Sequence, residues 1–344
     1  MLRLAFLLSF HLIPQTAIDY RQPQMAASAG LVAVTFGSTD TVYFSGSRDG
    51  GKTFSAPVKV AEAGALALGS HRGPRIGITR DAIVISAIAG GELLTWRSID
   101  RGRTWKAGPR ISDEAQSARE GLHTMAATPD GKLFAAWLDL RHLTPGKPGT
   151  ELWGAYSTDS GATWSKNFAV YKSPGGSICQ CCHPSALFDS AGNLEVMWRN
   201  SLEGDRDMYM ARSTDGGRTF GKAEKLGAGS WHLDACPMDG GGLAQGANGK
   251  IMTAWRREKG VYLAPEGGAE TLLQDGKNPA IAVGAEGVFV AWSSPAGVFA
   301  RVPGQMDPVT LDHEGGFVTL ASVPNGPVIA AWERKGTIQF HTLQ

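Results

Sequence analysis

One octapeptide recurs four times along the chain: Ser47-Arg-Asp-Gly-Gly-Lys-Thr-Phe54, Ser98-Ile-Asp-Arg-Gly-Arg-Thr-Trp105, Ser157-Thr-Asp-Ser-Gly-Ala-Thr-Trp164 and Ser213-Thr-Asp-Gly-Gly-Arg-Thr-Phe220. The shared form is S-x-D-x-G-x-T-[WF], and each part has a mechanical use. An aspartate at a turn start accepts backbone N–H bonds, glycine supplies a positive φ, and the serine and threonine hydroxyls close the loop locally. The terminal aromatic is an apolar peg. Asp49, Asp100, Asp159 and Asp215 stand 51, 59 and 56 residues apart, a period that holds four short strands and their turns. Such spacing means repeated sheets.

A second repeat carries the period further: Leu133-Phe-Ala-Ala-Trp137, Leu194-Glu-Val-Met-Trp198, Ile251-Met-Thr-Ala-Trp255, Val288-Phe-Val-Ala-Trp292 and Val328-Ile-Ala-Ala-Trp332. Leu31 to Phe36 and Ala82 to Ala87 occupy the same place earlier. These are strand-length runs bounded by Gly, Asp or Pro. They give seven units, of which the last three lack the octapeptide and are shortened to spacings of 37 and 40 residues. The expected fold is an all-β propeller of about seven short blades, three- or four-stranded, with octapeptide turns in the first four. Six blades is the alternative if one short unit is only a partial blade. Closing a ring hides the edges that separate sheets would expose.

Composition agrees. Glycine makes up 45 of 344 residues, roughly double the usual ~7%, as frequent turns require. The 33 Lys+Arg against 32 Asp+Glu leave a net charge of +1, which argues against a nucleic-acid partner. Met1 to Ala17 has an early Arg3, an apolar stretch from Leu4 to Phe10 and on to Ile13, then Pro14. It reads as a short signal peptide, since a membrane span needs ~20 apolar residues. Residues 18–344 then form one propeller domain, secreted or periplasmic, with no membrane span in the mature chain. An uncleaved N-terminal anchor is the competing reading.

The octapeptide between strands resembles the Asp-box, or BNR repeat, of the sialidase superfamily. The resemblance covers nearly the whole mature chain and implies a secreted β-propeller, often concerned with glycans. It implies a structural role for Asp49, Asp100, Asp159 and Asp215. The sialidase mechanism that comes with it has an arginine triad gripping a carboxylate, a Tyr-Glu nucleophile pair and an Asp acid/base. The best matches to the triad here are Arg75, Arg199 and Arg256. Arg75 sits in Gly73-Pro-Arg-Ile76 of the second unit, whereas the family's Arg-Ile-Pro motif precedes the first Asp-box. No tyrosine follows Tyr262. Glu120, Glu258, Asp40 and Asp139 are carboxylate candidates, and spacing singles out no pair. Whether the protein is an enzyme, an exo-sialidase or another glycosidase, stays open.

Because strands alternate direction within a blade, loops fall alternately on two faces of the disc. If the Asp-box joins the third and fourth strands, then the lead-in to each first strand lies on the opposite face. So does each second-to-third turn. That face gathers His71, Arg72, Arg75, Glu120, His123, Cys179 to His183, Trp231, His232, Asp234, Cys236, Met238, Asp275 and Asn278, and the turns add Asp139, Arg141, His142, Arg199 and Arg256. Ligand sites commonly lie at the mouth of such a ring. A glycan or acidic small molecule is therefore expected to meet His71, Arg75, His123, His183, His232, Arg199 and Arg256.

The four cysteines are Cys179, Cys181, Cys182 and Cys236. With His183 they form a possible set for copper or another soft metal, although the spacing matches no common zinc knuckle. In an oxidising compartment, two disulfides are the alternative, one joining Cys236 to the cluster. A scaffold that binds a protein partner is the third reading.

Overall fold

A computed structural model describes residues 11–12, 18–147 and 149–343, and among them there is no helix. Seven antiparallel four-stranded sheets are present; hydrogen-bonded neighbours follow sequence order in six, and in the seventh the N-terminal strand pairs with the C-terminal one. Blade 1 covers residues 21–62, blade 2 75–107, blade 3 123–171, blade 4 185–225, blade 5 241–275, blade 6 277–312 and blade 7 316–343. The innermost strand of each blade lies against those of both neighbours, including blade 7 against blade 1. The ring is closed.

No blade is reduced to three strands. The short units shorten their loops instead: Val328–Arg334 and Thr337–Leu343 are joined through Lys335 and Gly336 alone, with φ of 46° and 77°, the two positive values of a tight hairpin. The fourth strand of blade 7 is His11–Leu12, which pairs with Phe340 and Gln339. The rest of the segment expected to be an export signal lies outside the described residues.

The second strand of each blade is sandwiched between neighbouring blades. Leu31–Ser38, Ile83–Ala89, Leu133–Asp139 and Leu194–Arg199 are buried along their whole length. That is why they read as apolar runs rather than alternating ones. Trp137, Trp198, Trp292 and Trp332 are the largest fully buried side chains, so the repeated tryptophan is the core of its blade.

Each Asp-box does join a third strand to a fourth, and all four have one hydrogen-bond pattern. The serine Oγ donates to the aspartate Oδ1 at 2.7–2.8 Å and accepts the N–H of the fifth residue at 2.8–3.0 Å. The threonine donates its N–H to Oδ1 at 2.9 Å and its hydroxyl to Oδ2 at 2.5–2.6 Å. These bonds, with that from the Thr104 hydroxyl the largest, hold Asp100 down at about 2. The carboxylate is a structural acceptor.

The pegs staple blades. Phe54 stacks on Phe340 of blade 7 at 3.8 Å, Trp105 meets Phe44 of blade 1 at 5.3 Å, and Phe220 meets Phe134 of blade 3 at 5.6 Å. The fifth-position glycine is needed twice over. Gly102 has φ +85°, and a methyl group there would overlap the Phe44 ring, whereas the fourth-position Gly50 has φ +75° and open space around it. Gly50→Ala is therefore expected to cost about 1–2 kcal/mol from φ alone. Gly102→Ala should cost a further ~1–3 kcal/mol of overpacking. Urea unfolding of the two variants measures the difference; equal losses would mean that the blade contact contributes nothing.

Because the Asp-boxes occupy third-to-fourth turns, the lead-in segments lie on the other face, as the alternation of strands predicts.

Candidate functional site

The first strands frame an axial channel of about 230 Å³, to which all seven blades contribute. Its wall includes Gln24, Thr124, Ser185 and Thr319, and its mouth holds His71 and His183. The two imidazoles stack with centroids 4.2 Å apart and planes 27° off parallel, and Phe317 packs edge-on against His71 at 5.3 Å. His71 sits at φ +65°, in the left-handed region that is costly for a residue of its size. The backbone is held in that state by its neighbours.

Asn278 fixes the ring. Its Oδ1 lies 2.7 Å from His71 Nε2, and because a carbonyl oxygen only accepts, Nε2 carries the proton and Nδ1 keeps its lone pair. Burial is the main force pushing His71 down to about 4, with the Arg75 charge adding to it and the Asn278 bond opposing it. His183 is pushed well below its usual value by burial and by the charges of His71, Arg75 and Arg199. Its Nδ1 has no hydrogen-bond partner among the described residues. Both rings are neutral at pH 7.

A hydrogen-bonded path leads from this pair to the cysteines. The Asn278 N–H donates to Asp239 Oδ2 at 2.9 Å, and the Asp239 N–H donates to Cys182 Sγ at 3.4 Å. Asp239 is fully buried, its Oδ1 is unpartnered, and burial raises it to about 6 against the pull of Arg199. Cys179 Sγ lies 3.6 Å from Cys181 Sγ and 3.5 Å from Cys182 Sγ, all three buried. Hydrogen bonds from the Cys181 and Cys182 thiols hold Cys179 below the ordinary thiol range. Cys181 is pushed up, first by its bond to Cys179, and Cys182 is pushed up by burial. The four cysteines carry no disulfide; Cys236 is exposed and outside the trio.

The guanidiniums of Arg75 and Arg199 are taken up by backbone carbonyls. Arg75 is buried and donates to the carbonyls of His71, Gly73, Pro74 and His123, the last at 3.1 Å in blade 3. Arg199 is equally buried and donates to the carbonyls of Asp239, Arg206 and Arg256 at 3.1, 2.6 and 2.9 Å. Each stitches its own blade to the next. Arg256 donates Nε–H to the Glu258 carbonyl and lies over Trp231, which Arg199 also faces, at 5.2 and 5.3 Å. Arg256 also reaches Asp239 Oδ2 at 3.8 Å.

Other expected site residues are scattered. His123 is fully buried, with Nε2 on Ser86 Oγ at 3.0 Å. His232 is exposed and bound to Asp205 at 3.1 Å. Glu120 is half-buried and raised by that burial, and its carbonyl accepts from Arg72 Nε–H at 2.7 Å. Asp139 accepts from Trp137 and Arg141 at 2.7–2.9 Å. Asp239 was not anticipated. It stands two residues before its first strand, as His183 does, and aligning the lead-in segments would have exposed it.

The BNR repeat-like domain family matches residues 83–230, a span that includes three of the four Asp-boxes. The chain is a seven-bladed β-propeller in which residues 83–230 match that family. No curated protein matches it. Among solved structures, this propeller is similar to a protein of unknown function from Dyadobacter fermentans, with 16% identity over 97% of this chain and 98% of that one at a TM-score of 0.57. It is similar to an alpha-L-arabinanase of Penicillium chrysogenum complexed with arabinobiose, with 13% identity over 97% and 96% and a TM-score of 0.58. It is also similar to virginiamycin B lyase from Staphylococcus aureus, with 11% identity over 98% and 99% and a TM-score of 0.59. Shared by all is the fold.

Proposed function

We propose that this BNR propeller is an exported, glycan-directed binding protein that takes a neutral, hydroxyl-rich group at the mouth of its axial channel. One observation carries the reading: two stacked neutral imidazoles, with His71 Nδ1 held as an acceptor, line a channel with polar residues in its wall. The volume, about 230 Å³, is below the ~300–1,000 Å³ of drug-sized sites and suits one sugar ring. A neutral imidazole acceptor pairs with a hydroxyl, not a carboxylate. The guanidiniums of Arg75 and Arg199 are committed to carbonyls, so an acidic ligand finds no bidentate clamp from them. An arabinobiose complex on a similar fold supports the sugar class. The apolar Met1 to Ala17 segment supports export in an uncleaved form, since its His11–Leu12 supplies blade 7 with a fourth strand.

Calorimetric titration with neutral mono- and disaccharides, and with a sialic acid as the acidic control, tests the proposal. Binding of a neutral sugar is expected, weakened at least ~10-fold in His71→Ala, which is about one lost hydrogen bond. Preference for the acidic sugar, or affinity indifferent to His71→Ala, would reject the site.

A further inference from the structure

The sugar site leaves the thiol trio unused. We infer that Cys179, Cys181 and Cys182 form a binding site for a single monovalent copper ion, held by three thiolates. This goes beyond the sugar reading and does not depend on it.

The first ground is geometry. Metal–sulfur bonds of ~2.3 Å place the sulfurs of a tetrahedral or trigonal site about 3.8–4.0 Å apart. The sulfur separations of 3.6 and 3.5 Å from Cys179, with all three sulfurs within 4.8 Å of one another, lie within a few tenths of an ångström of that. A rotamer adjustment suffices to admit the ion. The three residues sit on one short loop of the lead-in to blade 4, so the site needs no movement between blades.

The second ground is charge. Arg75 and Arg199 are 6% and 1% exposed, and among the described residues neither has a carboxylate in ion-pair contact. Carbonyl oxygens satisfy their hydrogens but not their charges, and an uncompensated buried cation is costly. Both Cys179 and Cys182 feel the Arg199 charge. A copper(I) tris-thiolate is a net dianion, which adds to the single buried Asp239 carboxylate in offsetting the Arg199 charge. The Asp239 N–H donating to Cys182 Sγ supplies the outer-shell bond that orients a thiolate ligand. As the ion enters, the remaining thiol protons leave to solvent and no electron is transferred.

The third ground is selectivity. Soft thiolates select copper(I), zinc or iron–sulfur clusters. Structural zinc takes four protein ligands, and the cluster of possible ligands here comprises three. Three-coordination is natural for copper(I), and burial of all three sulfurs keeps it from water and oxidant.

The test uses the full chain, reduced and handled without oxygen, titrated with copper(I) in competition with a coloured chelator such as bicinchoninate. One equivalent per chain is expected, with an X-ray absorption spectrum showing a sulfur-only shell of three. Cys181→Ser, at the least buried of the three positions, should weaken binding by more than the ~10–100-fold that loss of an outer partner costs. Cys236→Ser should leave it unchanged. A nitrogen or oxygen shell, preference for zinc over copper(I), no stoichiometric binding, or loss of binding in Cys236→Ser would overturn the assignment. The wild-type spectrum decides even if a cysteine variant fails to fold. Sugar titration of Cys181→Ser reports separately on the channel mouth, so the two readings fail independently.

Discussion

Acidification from pH 7 to pH 5 is expected to strip several kcal/mol of stability from the propeller. The cause is three neutral histidines, His71 and His123 buried and His183 partly buried, each lowered chiefly by desolvation. An imidazole with a folded pKa below its unfolded value of ~6.5 binds a proton more readily when unfolded, so stability is complete above that value and is lost as pH falls. For His71, lowered to about 4, linkage gives a loss of about 2 kcal/mol by pH 5 and about 3 kcal/mol below pH 4. His123 and His183 act in the same direction. Asp239 opposes them: raised to about 6 by burial, it binds a proton in the folded state first, which favours folding as pH falls toward 4. Three imidazoles outweigh one carboxyl. Urea midpoints at pH 7, 6 and 5 should fall steeply, and less steeply in His71→Gln, which can still donate to Asn278. A midpoint flat between pH 7 and pH 5 would show that these rings are not buried and neutral.

Replacing either buried arginine by methionine is expected to cost about 4 kcal/mol or more. Taking a guanidinium out of the interior relieves its desolvation, which by itself stabilises. Against that, Arg75→Met leaves the carbonyls of His71, Gly73, Pro74 and His123 without their donor, at ~1–3 kcal/mol for each that stays buried. Arg199→Met does the same to Asp239, Arg206 and Arg256. Lysine should rescue little, because a single ammonium cannot span carbonyls on two blades as the planar fork does. Chemical denaturation distinguishes this from a ligand clamp. A clamp arginine would lose affinity while the denaturation midpoint stayed put, and that result would contradict the stitching role.

The fold was legible because its signals are local. The Asp-box closes on itself within eight residues, so Ser98, Asp100 and Thr104 announce the turn without help from the rest of the chain. The buried second strands announce themselves as apolar runs ending in Trp198 or Trp332. The alternation of strands then sorted the loops between two faces, and so brought the cysteines and histidines to one side. What sequence could not resolve is which of those groups meet. His71 and Asn278 are 207 residues apart and touch because blades 2 and 6 both open on one axis. Arg75 looked like a ligand residue because an arginine at a channel mouth suits a carboxylate. Its side chain instead turns along the seam with blade 3, where backbone carbonyls needed donors. Six blades stayed open beside seven because blades 5 and 6 have trimmed loops and blade 7 takes its fourth strand from the N-terminus.

The central claim is that the chemistry of this propeller sits where His71 and His183 face the channel. It is tested most directly by the histidine ring resonances of isotopically labelled protein, recorded with and without a saturating neutral sugar. The account predicts that the His71 and His183 rings shift while those of the exposed His142 and His313 stay in place. Shifts confined to other histidines, or none despite measured binding, would put the ligand elsewhere on the disc and contradict it.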